Sequence, residues 1–155
     1  MRLVRNYRPE DAPILAQVFQ DSARAAGATD YTPKQVDSWV LPAADPQIWG
    51  ERLAASHTFV AEENGEAIGF GELSEPGMLE MLYVRPDVLR QGVGLMLLQR
   101  LEARAKRLHL NKLLVKSSPT ALPFFSAQGF AVVQKQIVLR KGAVLPTVLL
   151  EKPLE

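Results

Sequence analysis

The sequence has no cysteine among its 155 residues and only two histidines. The absence of cysteine excludes disulfide bonds, thiolate metal sites and a cysteine nucleophile. His57 and His109 are isolated in the sequence, so we predict no metal site. No apolar run is long enough to span a bilayer, and the N-terminus lacks the features of a signal peptide. We therefore expect a soluble, cytoplasmic protein with no membrane partner.

An excess of charge of one sign is also lacking, because 18 basic side chains balance 17 acidic ones and leave a net charge of +1. Such a chain has no electrostatic footprint for nucleic acid, and its basic clusters lack interleaved aromatic residues. We therefore predict no nucleic-acid partner. The length suits one domain, residues 1–155, that can bury a core of ordinary size.

The spacing of apolar residues predicts an α/β fold built from seven strands and several helices. The predicted strands are Leu3–Tyr7, His57–Glu62, Glu66–Leu73, Gly77–Val84, Lys112–Ser117, Ala131–Leu139 and Val144–Glu151. The predicted helices run from Pro9 to about Gly27, from Gly92 to about Leu108 and from Ala121 to Ala127, with two brief helices and connecting loops within Thr29–Ser56.

The connections between these elements predict a mixed, largely antiparallel sheet. Asn64 and Gly65 favour a hairpin between the second and third strands. The strand–helix–strand unit between Gly77 and Ser117 predicts one parallel pair joined by a right-handed crossover. The last two strands are expected to be joined around Lys141 and Gly142.

The most informative segment runs from Tyr83 to Gly94 and reads YVRPDVLRQGVG. An apolar strand leads through a proline and a polar loop into a helix that starts at Gly92. Gly92 and Gly94 let the backbone approach a ligand closely, and the N-terminus of a helix favours an anion. The segment therefore predicts a phosphate-binding loop. Neither the three early glycines of a dinucleotide fold nor the Gly-Lys-Ser/Thr of a Walker loop is present.

This loop resembles the acetyl-CoA loop of the GNAT N-acetyltransferases, whose signature is Q/R-x-x-G-x-G/A after a strand. A second segment, SPTALPFFSAQGF from Ser118 to Phe130, resembles the family landmark N-x-x-A-x-x-F-Y-x-x-x-G-F. The two landmarks stand at the usual separation, and the likeness extends from about Phe59 to Lys152. The resemblance implies the GNAT-like acyl-CoA N-acyltransferase fold, with acetyl-CoA as cosubstrate.

The resemblance also implies how coenzyme A would bind. Its pyrophosphate would lie on backbone N–H groups of the loop, and its pantetheine arm would pair with the strand before the loop. Splaying of that strand from the strand Lys112–Ser117 would open a slot for the thioester. The implied cofactor-binding residues are Leu82, Tyr83, Val84, Leu89, Arg90, Gln91, Gly92, Val93, Gly94, Ser118, Phe124 and Phe125.

Two positions depart from the family pattern. Leu89 stands where Gln or Arg is usual, and we expect this to weaken cofactor binding rather than abolish it, since the loop binds through its main chain and Arg90 can compensate. Phe125 stands where many members have a tyrosine that is often assigned as the acid for the leaving thiolate. Ser118 replaces the usual Asn and could still bond to the pantetheine arm.

Acetylation of an amine needs a nearby base and stabilisation of the thioester oxyanion. Strand alternation predicts that Glu80 shares an apolar face with Leu82 and Val84, where burial makes a carboxylate a stronger base. Glu80 is therefore the predicted general base, and a solvated, purely structural glutamate is the alternative. For Glu72, which lies near a turn, the solvated alternative is favoured.

The resemblance implies that the backbone N–H of Leu82, beside an expected bulge, stabilises the oxyanion. The leaving thiolate would take its proton from water, Ser117, Ser118 or Tyr83. Ser118 is preferred, because Tyr83 should face away from Glu80. Both serines could instead cap the helix that follows them.

Tyr31, Trp39 and Trp49 could line a pocket for the acceptor, or the tryptophans could pin short helices to the sheet. Tyr31 is preferred for the pocket, because Asp30 beside it could hold a cationic amine. The predicted substrate-binding residues are Tyr31, Glu72 and Glu80.

Together these observations predict an N-acetyltransferase that moves acetyl directly from acetyl-CoA to a primary amine, with a small molecule preferred over a protein N-terminus or lysine. The rival is a non-catalytic protein of the same fold that binds coenzyme A or another small ligand, which the departures at Leu89 and Phe125 motivate. Steady-state thiol release separates a catalyst from a binder. A homodimer through the exposed edge of the last two strands is compatible with either function.

Overall fold

A computed structural model describes residues 1–140 and 143–155. Its helices are Ala12–Asp30 (α1), Pro33–Trp39 (α2), Pro46–Ala55 (α3), Val93–Arg107 (α4) and Leu122–Ala127 (α5). Its strands are Arg2–Asn6 (β1), His57–Glu63 (β2), Glu66–Ser74 (β3), Met78–Val84 (β4), Lys112–Ser117 (β5), Ala131–Arg140 (β6) and Ala143–Pro153 (β7). The predicted strands and helices are therefore found, with ends shifted by a few residues. The predicted connection around Lys141 and Gly142 lies outside the described residues.

The strands form one sheet in the order β1-β2-β3-β4-β5-β7-β6. Neighbouring strands are antiparallel except β4 and β5, which are parallel and joined by the crossover through α4. The prediction of a mixed, largely antiparallel sheet with one parallel crossover is confirmed. The β2–β3 hairpin turns at Asn64 and Gly65, whose φ angles of 53° and 83° favour these residue types.

The parallel pair β4–β5 is short, and this opens the sheet near its centre. Its register consists of Met78 with Leu114 and Leu79 with Val115. Beyond these positions β4 stays paired with β3, while β5 stays paired with β7. A gap therefore widens between β4 and β5 toward their carboxyl ends, which is the splay that the resemblance implied.

Helices cover both faces of the sheet, and each face has its own apolar core. On one face α4 buries Leu97, Leu98 and Leu101 against the sheet. Gly71 of β3 permits this close contact, because a Cβ there would lie 2.6 Å from Leu101 Cδ1. On the other face α1, α2 and α3 enclose a second core around Trp49. Within the described ranges, no helix has both the length and the apolar character needed to cross a membrane.

The N-terminal half differs from prediction in two respects. Helix α1 continues past Gly27, because this glycine is where Val36 of α2 packs: a Cβ on Gly27 would lie 2.6 Å from Val36 Cγ2. The segment Thr29–Ser56 also contributes to the core rather than only connecting elements, since Trp49 within it is 1% exposed. Both differences arise from packing between helices, which local signals do not show.

Candidate active site

The loop between β4 and α4 is exposed and turns its backbone sharply. Arg90 and Gly92 adopt positive φ angles of 62° and 84°, and α4 begins at the next residue, Val93. The hydrogen bond from Met96 N to Gly92 O, at 3.1 Å, is the first i to i+4 bond of the helix. The N–H groups of the first turn have no partner within the helix, so they favour an anion at this point.

Gly92 leaves open space in front of these N–H groups. A Cβ built on Gly92 would meet nothing within 4 Å, whereas one on Gly94 would lie 3.5 Å from Phe124. Arg2 of β1 holds the loop, because it donates to Gln91 O at 3.1 Å and also to Gln91 Oε1. Leu89 is 52% exposed, so this departure from the family pattern serves no core packing. The geometry fits a phosphate group, and the cofactor contacts of individual residues stay predictions.

Two backbone N–H groups of β4 face the gap in the sheet. Arg85 N donates to Ile68 O of β3 at 2.8 Å. Because alternate residues of an antiparallel strand bond to the same neighbour, the N–H groups of Leu82 and Val84 point away from β3, toward the position that β5 has left. An extended ligand or an oxyanion in the gap could accept hydrogen bonds from them.

A cavity of about 130 Å³ lies beside the gap, on the face covered by α1, α2 and α3. Five of the residues that the sequence singled out line it, namely Tyr31, Trp39, Glu80, Tyr83 and Ser118. Phe19 and Trp39 supply apolar walls, while Arg52 and Lys116 bring positive charge. A small ligand fits such a volume. The structure therefore brings the main predicted catalytic and acceptor residues to one place.

Glu80 lies at a β-bulge, and the bulge changes the face that it occupies. The register between β3 and β4 skips one residue here, so Glu80 has no partner in β3. Glu80 is exposed and lines the cavity, where its carboxylate accepts a hydrogen bond from Ser74 Oγ at 2.8 Å. The prediction that Glu80 shares an apolar face with Leu82 and Val84 is therefore wrong, because it assumed unbroken alternation.

Glu72 is buried, whereas its place near a turn favoured a solvated side chain. Glu72 is 1% exposed, and Arg52 of α3 donates to its Oε1 from Nε and NH2, both at 3.2 Å. Burial raises the pKa of Glu72, the positive charge of Arg52 opposes the rise, and nearby Glu80 adds to it. Glu72 is not among the residues that line the cavity, and it instead positions Arg52, which does. The predicted direct contact of Glu72 with the acceptor is therefore corrected.

We expect Arg52→Met to lower the free energy of unfolding by about 3 kcal/mol near pH 7, because it leaves a buried carboxylate unpaired. With its pKa raised, Glu72 holds its proton more tightly in the folded protein than in the unfolded chain. Proton binding by Glu72 therefore favours folding at a pH below the pKa that Glu72 has in the unfolded chain. The stabilisation is lost as the pH rises through the pKa that Glu72 has in the folded protein. Without Arg52 the pKa of Glu72 in the folded protein rises further. The loss of unfolding free energy in the variant should therefore shrink as the pH falls toward 4.5, the ordinary pKa of a glutamate.

Urea unfolding of wild type and variant at both pH values measures this effect. Arg24→Met is the matched control, because the side chains of Arg24 and its partner Asp37 are 53% and 65% exposed. Its loss should stay below about 1 kcal/mol at either pH. Equal losses in the two variants would contradict the assigned role of the Arg52–Glu72 pair.

Tyr31 lines the cavity, although its surroundings differ from those predicted. It is 8% exposed, its hydroxyl donates to Pro146 O of β7 at 2.7 Å, and burial raises its pKa to about 12. The carboxylate of Asp30 accepts hydrogen bonds from Thr120 N at 2.9 Å and Thr120 Oγ1 at 2.7 Å. Asp30 is not among the residues that line the cavity, and the binding of a cationic amine by its carboxylate stays a prediction.

The three hydroxyl groups predicted as proton donors to the leaving thiolate differ in burial and in hydrogen-bond partners. Ser117 is 2% exposed and donates to Ser118 O at 2.7 Å. Ser118 Oγ accepts a hydrogen bond from Ala121 N at 3.3 Å, in the turn before α5, and Ser118 also lines the cavity. Tyr83 also lines the cavity, and its hydroxyl accepts from Trp39 Nε1 at 3.0 Å. Tyr83 therefore faces the same cavity as Glu80, contrary to prediction.

Phe125 packs in the core on the α4 face rather than in the cavity wall. It is 5% exposed, and its ring lies edge-on to Phe124 and Phe130 with centroid distances of 5.2 and 5.3 Å. Trp49 is likewise structural, since its Nε1 donates to Ala12 O at 3.0 Å, whereas Trp39 lines the cavity. The sequence analysis had left both roles open for the tryptophans.

Sequence reasoning missed three polar residues of the cavity, namely Arg52, Lys116 and Thr147. Lys116 had a usable signal, because alternation along β5 places it on the same face as Ser118. Arg52 and Thr147 had none, since their neighbours in the cavity come from elements far along the chain. Within the part of the chain that the structure describes, no group of three or more His, Asp or Glu could hold a metal ion.

The fold agrees with comparisons to known proteins. Residues 27–146, well over half of the chain, match the family model of the acetyltransferase (GNAT) domain. The uncharacterized N-acetyltransferase YafP of Escherichia coli is 34% identical over 140 residues, which cover 90% of this chain and 88% of that protein. The crystal structure of a GCN5-related N-acetyltransferase from Rhodopseudomonas palustris has a TM-score of 0.96 and 32% identity, covering 99% of this chain and 96% of that one.

The chain therefore belongs to the GNAT family of acetyltransferases, and the predicted class, an acetyl-CoA-dependent N-acetyltransferase, is confirmed. The family match begins at residue 27, earlier in the chain than the resemblance, which began near Phe59. The PaiA N-acetyltransferase from Thermoplasma acidophilum, solved in complex with coenzyme A, shares the fold at a TM-score of 0.84 with 19% identity, over 99% of each chain.

Proposed function

We propose that the protein transfers an acetyl group from acetyl-CoA to the primary amine of a small molecule. A small acceptor is preferred because the segments that cover the cavity, α2 and the end of α1, are bonded to the opposite side. The Tyr31 hydroxyl donates to Pro146 O at 2.7 Å, and Gln35 Nε2 donates to Val144 O at 2.6 Å, so the turn between α1 and α2 and α2 itself are bonded to β7. Asp30 fastens the end of α1 to the loop before α5. These bonds close the side where a polypeptide acceptor would need an open groove.

Three groups act on the reacting atoms in the proposed reaction. The amine nitrogen attacks the thioester carbonyl carbon, the C–S bond breaks, and coenzyme A leaves as a thiolate. Glu80 accepts the proton that the amine loses, and the N–H of Leu82 donates a hydrogen bond to the oxyanion. The thiolate takes a proton from Ser118 or Tyr83, which both line the cavity, and the donor regains a proton from water.

The proposed site for coenzyme A is the exposed loop and the gap. The pyrophosphate lies on the N–H groups from Leu89 to Gly94, and the pantetheine arm pairs with β4 at Val84. Support comes from the open space at Gly92 and from the N–H groups that face the gap. PaiA, solved with coenzyme A, and YncA from Salmonella typhimurium, solved with acetyl-CoA, share the fold, which supports coenzyme A as the ligand.

Thiol release with a panel of small amines and lysine-containing peptides tests the acceptor class. We expect at least one small primary amine to exceed every peptide by about tenfold or more in kcat/KM, because the cover excludes a longer chain. Faster turnover of peptides would overturn the small-molecule proposal. Stoichiometric coenzyme A binding without turnover of any amine would instead favour the non-catalytic binder.

A peptidyl lysine is the second candidate acceptor. The peptidyl-lysine N-acetyltransferase YiaC of Escherichia coli is 34% identical over 88 residues, which cover 57% of this chain and 59% of that protein. A homodimer, a cytoplasmic location and a single functional unit of residues 1–155 also stay proposals. The homodimer is supported by the edge position of β6, where Ile137 and Leu139 are 67% and 75% exposed, and light scattering tests it.

A further inference from the structure

One buried hydroxyl of the cavity lacks a hydrogen-bond partner. Oγ1 of Thr147, on β7, is buried and bonds to no described residue. Buried polar atoms in folded proteins nearly always have a partner, and an unpaired one is destabilising. Because Thr147 lines the cavity, a polar group of a bound ligand could satisfy this hydroxyl.

Lys116 lies close to the same hydroxyl. It stands opposite Leu149 in the antiparallel pair β5–β7, so Thr147 is its diagonal neighbour on the same face of the sheet. Diagonal neighbours are about 7–8 Å apart, which is within reach of a long side chain. Lys116 forms no ion pair with any described residue, whereas Lys112 on the same strand pairs with Glu151 at 3.2 Å. An ammonium group beside an unpaired hydroxyl suits an anion.

The positions of the other charged residues of the cavity, Arg52 and Glu80, determine where the cationic group of a ligand would bind. Arg52 is engaged by buried Glu72, so the charges offered to a ligand are chiefly the ammonium of Lys116 and the carboxylate of Glu80. Glu80 belongs to β4, across the gap from Lys116. The cavity therefore matches a ligand with its amine toward β4 and a negative charge toward β5 and β7.

We propose that Lys116 and Thr147 bind an anionic group of the acceptor, so that the preferred acceptor is a small primary amine that also carries a carboxylate or phosphonate. This inference rests on the proposed function, because it assigns the acceptor to this cavity. Glu80 and Lys116 each follow the last paired residues of β4 and β5, Leu79 and Val115, so only a few bonds separate the amine from the anion. A polyamine or a lysine within a peptide brings no anion to this position and leaves Thr147 unpaired.

Matched amines test the charge requirement. The panel contains alanine, alaninamide, ethylamine and 1-aminoethylphosphonate, the corresponding β-alanine and γ-aminobutyrate series, and the remaining proteinogenic amino acids with their amides. We expect the best acid to exceed its amide by about 10- to 100-fold in kcat/KM, mainly through KM, because the amide cannot form a charge-assisted bond with Lys116. The ratio of carboxylate to phosphonate identifies which anion the subsite prefers.

Two variants test whether Lys116 and Thr147 cause the preference for acids over amides. Lys116→Gln and Thr147→Val should bring the acid-to-amide ratio toward one, while Lys106→Gln, which removes an exposed lysine from α4, should keep it. Thr147→Val should not lower the melting temperature, because it replaces an unpaired buried hydroxyl by a methyl group. A merely structural role for Thr147 predicts the reverse, a lower melting temperature with the ratio intact.

The thermal shift caused by the same acids and amides separates this inference from the proposed function. A shift that needs the anion and disappears in Lys116→Gln supports the subsite even if no amine is acetylated. Equal kcat/KM for acids and amides in the wild type would overturn the subsite while leaving the acetyltransferase function intact. Neither turnover nor an anion-dependent shift would overturn both.

Discussion

Gly92→Val should raise the dissociation constant of acetyl-CoA by about 100-fold, which corresponds to about 2.8 kcal/mol. Gly92 has a φ of 84°, which a β-branched residue rarely adopts, so the loop would shift or carry about 1–3 kcal/mol of strain. The new side chain would also enter the open space in front of α4. Each hydrogen bond to a charged phosphate contributes about 1.5–3 kcal/mol, so the loss of one or two explains the effect.

Isothermal titration with acetyl-CoA and then with coenzyme A measures this prediction. Gly65→Val is a closely matched control, because Gly65 has a φ of 83° and a Cβ there would also meet nothing within 4 Å. The control reproduces the backbone strain in the β2–β3 hairpin, away from the proposed phosphate site. Unchanged affinity in Gly92→Val, or an equal loss in Gly65→Val, would refute the assignment of this loop as the pyrophosphate site.

Glu80→Gln should lower kcat by about 100-fold while the affinity for acetyl-CoA stays within about twofold of wild type. The amide keeps the shape of the side chain but cannot accept the proton that the attacking amine must lose. Because Glu80 is exposed at a bulge, its substitution removes no core contact, and the variant should fold normally.

Pre-steady-state and steady-state thiol release measure the effect on the chemical step. Glu66→Gln is the control, since Glu66 is exposed on the neighbouring strand β3, at the end that lies far from Glu80. Glu72→Gln belongs in the same experiment, because Glu72 is the other carboxylate near Glu80 that could act as the base. A near-normal rate in Glu80→Gln with a slow Glu72→Gln would move the base to Glu72, and normal rates in both would leave water as the base.

The phosphate loop and the order of elements could be predicted because their signals are local. The glycines around Gly92, the proline before the loop and the hairpin at Asn64 and Gly65 act within a few residues. The same holds for α4, whose apolar stripe is periodic. Local signals failed at Gly27, which resembles a helix end and instead provides space for α2.

The site residues were predicted less well, because their environments depend on register and on contacts between distant segments. One skipped residue in the pairing of β3 with β4 moves Glu80 into the cavity. Glu72 was expected to be solvated and is instead buried, with Arg52 of α3 bonded to its carboxylate.

By itself, the sequence determined the sheet, the crossover helix and the form of the loop before α4, since each of these follows from short-range conformational preference and periodicity, and the resemblance of two motifs indicated the family. Only the tertiary structure decided which side chains share the cavity and what partners they have. Lys116 and Thr147 become neighbours because β5 and β7 pair, and a pairing between segments far apart along the chain leaves no trace in the local pattern of either one.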